Sequence, residues 1–161
     1  MLIGIVSDTH GHIPFTENCV DILKSNEVER VIHCGDIGSP EVIPLFSELP
    51  AHFVFGNVDY DHAELRETIE DAGLTCHDEF GSVEWAGRKI AFLHSHDHQR
   101  FQETVADSNW DLVCYGHTHQ AKQQYVGNTL VLNPGAVFRA NPRSIAIVDL
   151  RNLEVASKTL S

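Results

Sequence analysis

The chain has 161 residues, 42% hydrophobic and 21% charged, which suits one folded domain over residues 1–161 and excludes a disordered chain. No run approaches the ~20 apolar residues that cross a bilayer, so a helical membrane protein is excluded and no membrane partner is expected. Eleven basic and 23 acidic residues leave a net charge of −12, a poor match for a nucleic-acid polymer, whose backbone needs basic surface to release its counterions.

Leu2–Val6 is a short β-branched run that reads as a strand, and Gly11–Pro14 follows as a loop. From Phe15 to Asn26 the apolar residues Phe15, Cys19, Ile22 and Leu23 fall at a helical period. Arg30–Cys34 is strand-like, Ser39-Pro40-Glu41 opens a helix with Pro in its first turn, and His52–Phe55 is a third strand. Ala63–Ala72 is helical and stops at Gly73. This strand–helix alternation predicts a parallel α/β core. After Thr75 the pattern changes. Ser82–Trp85 and Lys89–Leu93 form a hairpin across Ala86-Gly87-Arg88, Gln99–Asp107 is helical, and Leu112–Tyr115 is a strand. Beyond His119 come strands at Gln123–Val126, Leu130–Leu132, Ile145–Leu150 and Glu154–Thr159, so antiparallel hairpins are expected to build most of a late sheet.

The four cysteines are too far apart in sequence for any CxxC pair, and Cys34 and Cys114 lie in apolar runs where a thiol acts as a small hydrophobe. Met1 leads straight into a strand-like run, so the expected compartment is the reducing cytoplasm. Histidine is the anomaly, with 11 residues, seven of them in the groups His10/His12, His94/His96/His98 and His117/His119.

Five apolar runs end in the same kind of residue. They lead into Asp8-Thr9-His10, Gly35-Asp36, Gly56-Asn57-Val58-Asp59, His94-Ser95-His96 and Gly116-His117-Thr118-His119. Ligand sites in open α/β sheets gather beyond the carboxyl ends of strands. If the strands are neighbours, Asp8, His10, Asp36, Asn57, His94, His117 and His119 converge on one rim. Seven oxygen and imidazole donors are too many for one zinc and suit two divalent ions sharing a bridging carboxylate. Two such ions, two carboxylates and one hydroxide sum to +1, a centre that still attracts an anionic phosphate ester. Mixed nitrogen and oxygen ligation suits Mn2+ first, with Ni2+, Fe or Zn2+ as alternatives, over Ca2+ or Mg2+.

This motif series resembles the calcineurin-like metallophosphoesterase superfamily, and within it the small single-domain bacterial and archaeal phosphodiesterases related to Vps29. The turn Leu132-Asn133-Pro134-Gly135 extends the likeness over nearly the whole chain. The resemblance implies one ion on Asp8, His10, Asp36 and His119, a second on Asp36, Asn57, His94 and His117, and Asp36 bridging. It implies a four-layer α/β/β/α sandwich with two mixed β-sheets. It also implies a phosphodiesterase that hydrolyses small organic diesters by in-line attack of a metal-bridging hydroxide. Phosphomonoesterase activity and a non-catalytic Vps29-like scaffold are the alternatives, and homo-oligomers occur among such relatives. Asp59 is expected to orient a ligand or a loop amide.

Three positions depart from the pattern. Val58 stands where many members carry a leaving-group His, so leaving groups of low pKa are expected to be favoured unless another imidazole substitutes. The resemblance implies His96 for that part, since the small phosphodiesterases often carry a His two residues after the metal-binding one. Ser95 replaces a usual Gly, and Ala136 replaces a usual Ser. Of the remaining histidines, His12 reads as a loop residue near the cleft and His33 as a satisfied buried side chain. His52, His62 and His77 show no partner in the sequence, and His98 is a candidate at the entrance. Arg139 and Arg143 could meet a phosphate but read first as solvated surface, and Trp85 and Trp110 read as core or interface aromatics.

Overall fold

A computed structural model describes Met1–Ser161. The elements in chain order are β1 (Leu2–Val6), α1 (Ile13–Ser25), β2 (Arg30–His33), a 3-10 helix (Pro40–Phe46), β3 (Ala51–Phe53), α2 (His62–Asp71), β4 (Thr75–Cys76) and β5 (Phe80–Trp85). They continue with β6 (Arg88–Leu93), α3 (His98–Ala106), β7 (Leu112–Tyr115), β8 (Ala121–Val126), β9 (Thr129–Pro134), β10 (Ser144–Asp149) and β11 (Glu154–Thr159). The strands form a six-stranded sheet ordered β11-β10-β1-β2-β3-β4 and a five-stranded sheet ordered β5-β6-β7-β9-β8.

Alternation along the strands sorts the core into three layers. Ile3 and Ile5 of β1 meet Ile90, Phe92, Leu112, Cys114, Leu130 and Leu132 of the other sheet, a buried layer between the two sheets. Val31 and Phe53 face the opposite way and pack with Cys19, Leu23, Phe46, Leu65 and Ile69 beneath the first three helices. Ala91, Leu93, Val113, Tyr115 and Val131 turn outward under Phe101 and Val105 of α3. The molecule is thus the four-layer sandwich that the resemblance implied.

The late strands differ from expectation. The β10–β11 hairpin joins the first sheet, where β10 runs antiparallel to β1. In the second sheet β6, β7 and β9 are parallel, and only the outer strands β5 and β8 are antiparallel to their neighbours. The physical reason is composition. β9 carries Leu130, Val131 and Leu132 in a row and is buried throughout, whereas β8 carries Lys122, Gln123 and Gln124 and is exposed throughout, so β9 takes the inner place beside β7 and β8 the edge. The segment after Ser39 is a 3-10 helix because it is short and contains Pro44, which has no N–H for the helical ladder. Helix α1 starts at Ile13, two residues before the expected position, because His12 caps it by accepting the Phe15 N–H at 3.2 Å. Ala86 and Gly87 both take positive φ, the conformation of a two-residue hairpin turn.

Candidate metal centre

Strands β1, β2 and β3 of one sheet and β6 and β7 of the other deliver their C-terminal ends to one edge of the sandwich. Backbone bonds lock the loops there: Asp8 N–H to the Gly35 carbonyl at 3.0 Å, His10 N–H to the Asp36 carbonyl at 3.0 Å, and Gly11 N–H to the Ile37 carbonyl at 2.8 Å. Asp8, His10, Asp36, His117 and His119 all have φ between 46° and 79°, in the left-handed region. Asp and His tolerate that region better than most residues, yet it persists only where the surroundings hold it. The loops also approach closely. A Cβ on Gly56 would lie 2.1 Å from the Asp36 Oδ1, and one on Gly116 would lie 2.0 Å from the Ser7 Oγ.

The seven sequence-identified donors meet. Asp8, His10, Asp36 and His119 each offer a ligand atom within 4.8 Å of the others. Asp8 Oδ1 is 3.1 Å from His119 Nε2 and 3.6 Å from His10 Nε2, and the two imidazole nitrogens are 3.2 Å apart. Around Asp36, Oδ2 lies 3.2 Å from His94 Nε2 and 3.6 Å from His10 Nε2, while Oδ1 accepts the Val58 N–H at 3.1 Å. Asn57 Oδ1 and His117 Nδ1 are 3.1 Å apart, and the His94 and His117 rings are 5.1 Å apart between centroids.

Carbonyls set the tautomers. His94 Nδ1–H donates to the Cys34 carbonyl at 2.8 Å, and His119 Nδ1–H donates to the Arg139 carbonyl at 3.1 Å. Each ring therefore points an Nε2 lone pair at carboxylate oxygens. Asp8 Oδ1 and His94 Nε2 are buried with no well-directed hydrogen-bond partner. Lone pairs converging at about 3 Å repel unless positive charge lies among them, so the donor set fits divalent ions. The titration directions agree. Burial pushes Asp36 up, but His94, the Val58 amide and His10 bring it down to about 2. Burial likewise opposes ionisation of Asp8, and His10, His94, Ser7 and His119 more than offset it, leaving Asp8 below the usual carboxylate range. Burial pushes the His94 imidazole down, and Asp36 and Asp8 outweigh it, leaving His94 above the ordinary histidine value. Both carboxylates are ionised and draw positive charge.

His96 is exposed, its ring 5.6 Å from that of His94 and 6.5 Å from that of His117, at the mouth of the cleft. Asp59 is buried, and its oxygens accept the amides of Ile37 (3.1 Å), Gly38 (2.9 Å) and Gly56 (2.7 Å), tying the Asp36 loop to the Asn57 loop. Ser95 takes φ 79°, and its hydroxyl donates to the Gly116 carbonyl at 3.1 Å. Two further residues shape the site. Ser7 donates to Asp8 Oδ2 at 2.6 Å, and Asn133 Nδ2 donates to the Gly116 carbonyl (3.2 Å) and Thr118 Oγ1 (3.0 Å). Neither was singled out for a role in the sequence. The Asn133-Pro134-Gly135 turn was the available signal for Asn133, but its partners lie in the loop after β7, and the pairing of β9 with β7 is not visible in the chain.

The other histidines are structural neighbours. His12 is stacked between Phe15 and Phe138 at 4.5 and 4.2 Å. His52 and His77 hydrogen-bond each other at 2.8 Å, a pairing the sequence did not show. His62 stacks on Phe55 at 4.3 Å, and exposed His98 bonds Gln102 within α3. Arg143 lies 3.9 Å over the Phe15 ring, and Trp85 and Trp110 pack against the core layers.

Residues 1–153 match the profile of the calcineurin-like phosphoesterase superfamily domain. A phosphodiesterase of Methanocaldococcus jannaschii is 38% identical over 138 residues, covering 84% of this chain and 83% of that protein. A probable metallophosphoesterase of Bacillus subtilis is 29% identical over 164 residues, covering 94% and 86%. Among solved structures, that of an archaeal phosphodiesterase superposes with a TM-score of 0.92 at 34% identity, covering 99% of this chain and all of that one. Vps29 of Entamoeba histolytica with zinc superposes at 0.70 and 18% identity, covering 99% and 97%, a likeness of fold alone. With its motifs gathered at one rim and its profile match running over residues 1–153, the chain belongs to the calcineurin-like phosphoesterase superfamily.

Proposed function

We propose that the protein is a two-metal phosphodiesterase acting on small organic phosphate diesters in the cytoplasm. The observation that carries this reading is the pair of buried, partnerless atoms Asp8 Oδ1 and His94 Nε2 in a pocket of converging lone pairs. Asp8, His10, Asp36 and His119 would hold one ion, and Asp36, Asn57, His94 and His117 the other. Manganese is the first choice, and nickel, iron or zinc suit the same donors. Ions held there would supply Lewis acidity, which lowers the pKa of a bound water and offsets charge on phosphoryl oxygens in an in-line displacement. The protein's own part is orientation. The Cys34 and Arg139 carbonyls fix the His94 and His119 tautomers, and Asp59 keeps the two ligand loops in register. His96 would give a proton to the departing alcohol, a role supported by its exposure at the mouth beside His94 and His117 and by Val58 having no proton to give. Four free cysteines support a reducing compartment, and a M. jannaschii relative named as a phosphodiesterase supports the diester.

The test is protein stripped with a chelator and refilled with Mn2+ or Ni2+, assayed on matched aryl diester and monoester. The diester is expected to turn over faster, and Asp36→Ala is expected to fall to background. Full occupancy by two ions with no turnover of either ester overturns the proposal.

A further inference from the structure

Asp36 is the residue on which both candidate ion sites meet, and its φ of 54° has to be held in place. Asp59 grips one side of its loop, and a second grip comes from beneath. The Gly35 N–H donates to His33 Nδ1 at 3.2 Å, so the ring proton sits on Nε2. His33 Nε2 lies 3.0 Å from Thr9 Oγ1, and that hydroxyl donates onward to the Ile37 carbonyl at 3.0 Å. The two residues flanking Asp36 are therefore joined through one imidazole and one hydroxyl, both fully buried. The His33 ring is itself clamped, stacked on Phe53 at 5.1 Å and edge-on to Phe46 at 6.0 Å. Thr9 sits between Asp8 and His10, so the same hydroxyl links the first ligand loop to the second. Neither Thr9 nor His33 belongs to the candidate ligand set.

We propose that Thr9 and His33 form a positioning relay that fixes the bridging carboxylate of Asp36, so that the affinity for both ions depends on a hydroxyl that contacts neither. The inference rests on the two-metal reading of the site and goes beyond it by naming what sets the bridge. Partners one bond removed from metal ligands are worth about 10–100-fold in affinity, which makes the effect measurable.

The experiment compares wild type, Thr9→Val, Thr9→Ser and Thr104→Val as full chains. Thr104 is a buried control whose hydroxyl bonds the Arg100 carbonyl within α3. Mn2+ binding is measured by calorimetry, and the loaded proteins are examined by low-temperature electron paramagnetic resonance for an exchange-coupled pair. Thr9→Val is expected to weaken Mn2+ binding about 10–100-fold and to lose the coupled signal. Thr9→Ser is expected to restore both, and Thr104→Val to match wild type. If Thr9→Val does not fold, Thr9→Ala carries the same expectation. A wild-type isotherm and coupled signal in Thr9→Val overturn the relay, as does an equal loss in Thr104→Val. Wild type that binds a Mn2+ pair without hydrolysing diesters overturns the proposed function and leaves the relay standing, while failure to bind a pair removes both.

Discussion

Ser95 shows how a single side chain can cost and stabilise at once. Its left-handed backbone carries a penalty of about 1 kcal/mol for a residue with a Cβ, and its bond to the Gly116 carbonyl returns a similar amount while tying the β6 loop to the β7 loop. Ser95→Ala keeps the penalty and loses the bond, so its urea midpoint is expected to show about 1 kcal/mol of destabilisation. Ser95→Gly loses both and is expected to stay near wild type; equal midpoints for the two variants contradict this account. His96 makes a second prediction at this scale. An acid that serves the departing alcohol matters most when that alcohol is a poor leaving group. His96→Gln is expected to slow an alkyl diester about 100-fold and to leave a nitrophenyl diester within a few-fold. Equal losses on both esters would remove His96 from that role.

The loops at the strand ends are the elements in which ligand geometry is set, and their glycines separate close approach from mere conformational freedom. A Cβ at Gly56 collides with Asp36, whereas Gly73, at φ 73°, has nothing within 4 Å of such an atom. Gly73→Ala is expected to cost about 1 kcal/mol in backbone strain and to bind Mn2+ normally. Gly56→Ala is expected to displace Asp36 and lose the ion pair, measured by titration; normal binding by Gly56→Ala contradicts the close-packing argument. The extent of each element was legible where pattern was local. Leu2–Val6, Leu112–Tyr115 and Glu154–Thr159 were bounded correctly because each apolar or turn signal lies within the strand or beside it. The two-residue β4 was missed because it is too short to show a period. The placement of β9 between β7 and β8 was missed because pairing order is chosen by burial rather than by adjacency in the chain.

At the scale of the whole molecule, buried neutral histidines tie stability to pH. Burial holds His33 down to about 3, and burial, His77 and Arg30 hold His52 down to about 4. Unfolded, both titrate near 6.5, so below that pH the unfolded chain binds the extra protons. The stability these two residues contribute is fully present above about pH 6.5 and is lost as pH falls toward 4 and then 3. For His33, two pH units at 1.36 kcal/mol each remove about 3 kcal/mol by pH 4.5, a large part of the 5–15 kcal/mol typical of a domain. Half-buried His52 adds less. Urea midpoints of the ion-free protein are expected to fall between pH 7 and pH 4.5, and to fall less in His33→Gln. An unchanged pH dependence in that variant rules out His33 as a source.

The order of the motifs and the identity of the seven donors could be read from the chain alone, because each donor follows directly on an apolar strand run and needs only local pattern to be seen. Their convergence could not. Asp8 reaches His117 and His10 reaches His119 across 109 residues, and Cys34 reaches His94 across 60. The same holds for the residues that support the site. Thr9 bonds His33 and Ile37 at the end of β2, and Asn133 bonds Gly116 and Thr118 beyond the neighbouring strand β7. These bonds exist only once those strands have paired within their sheets, just as the contacts between ligand loops of the two sheets exist only once the sheets have packed face to face.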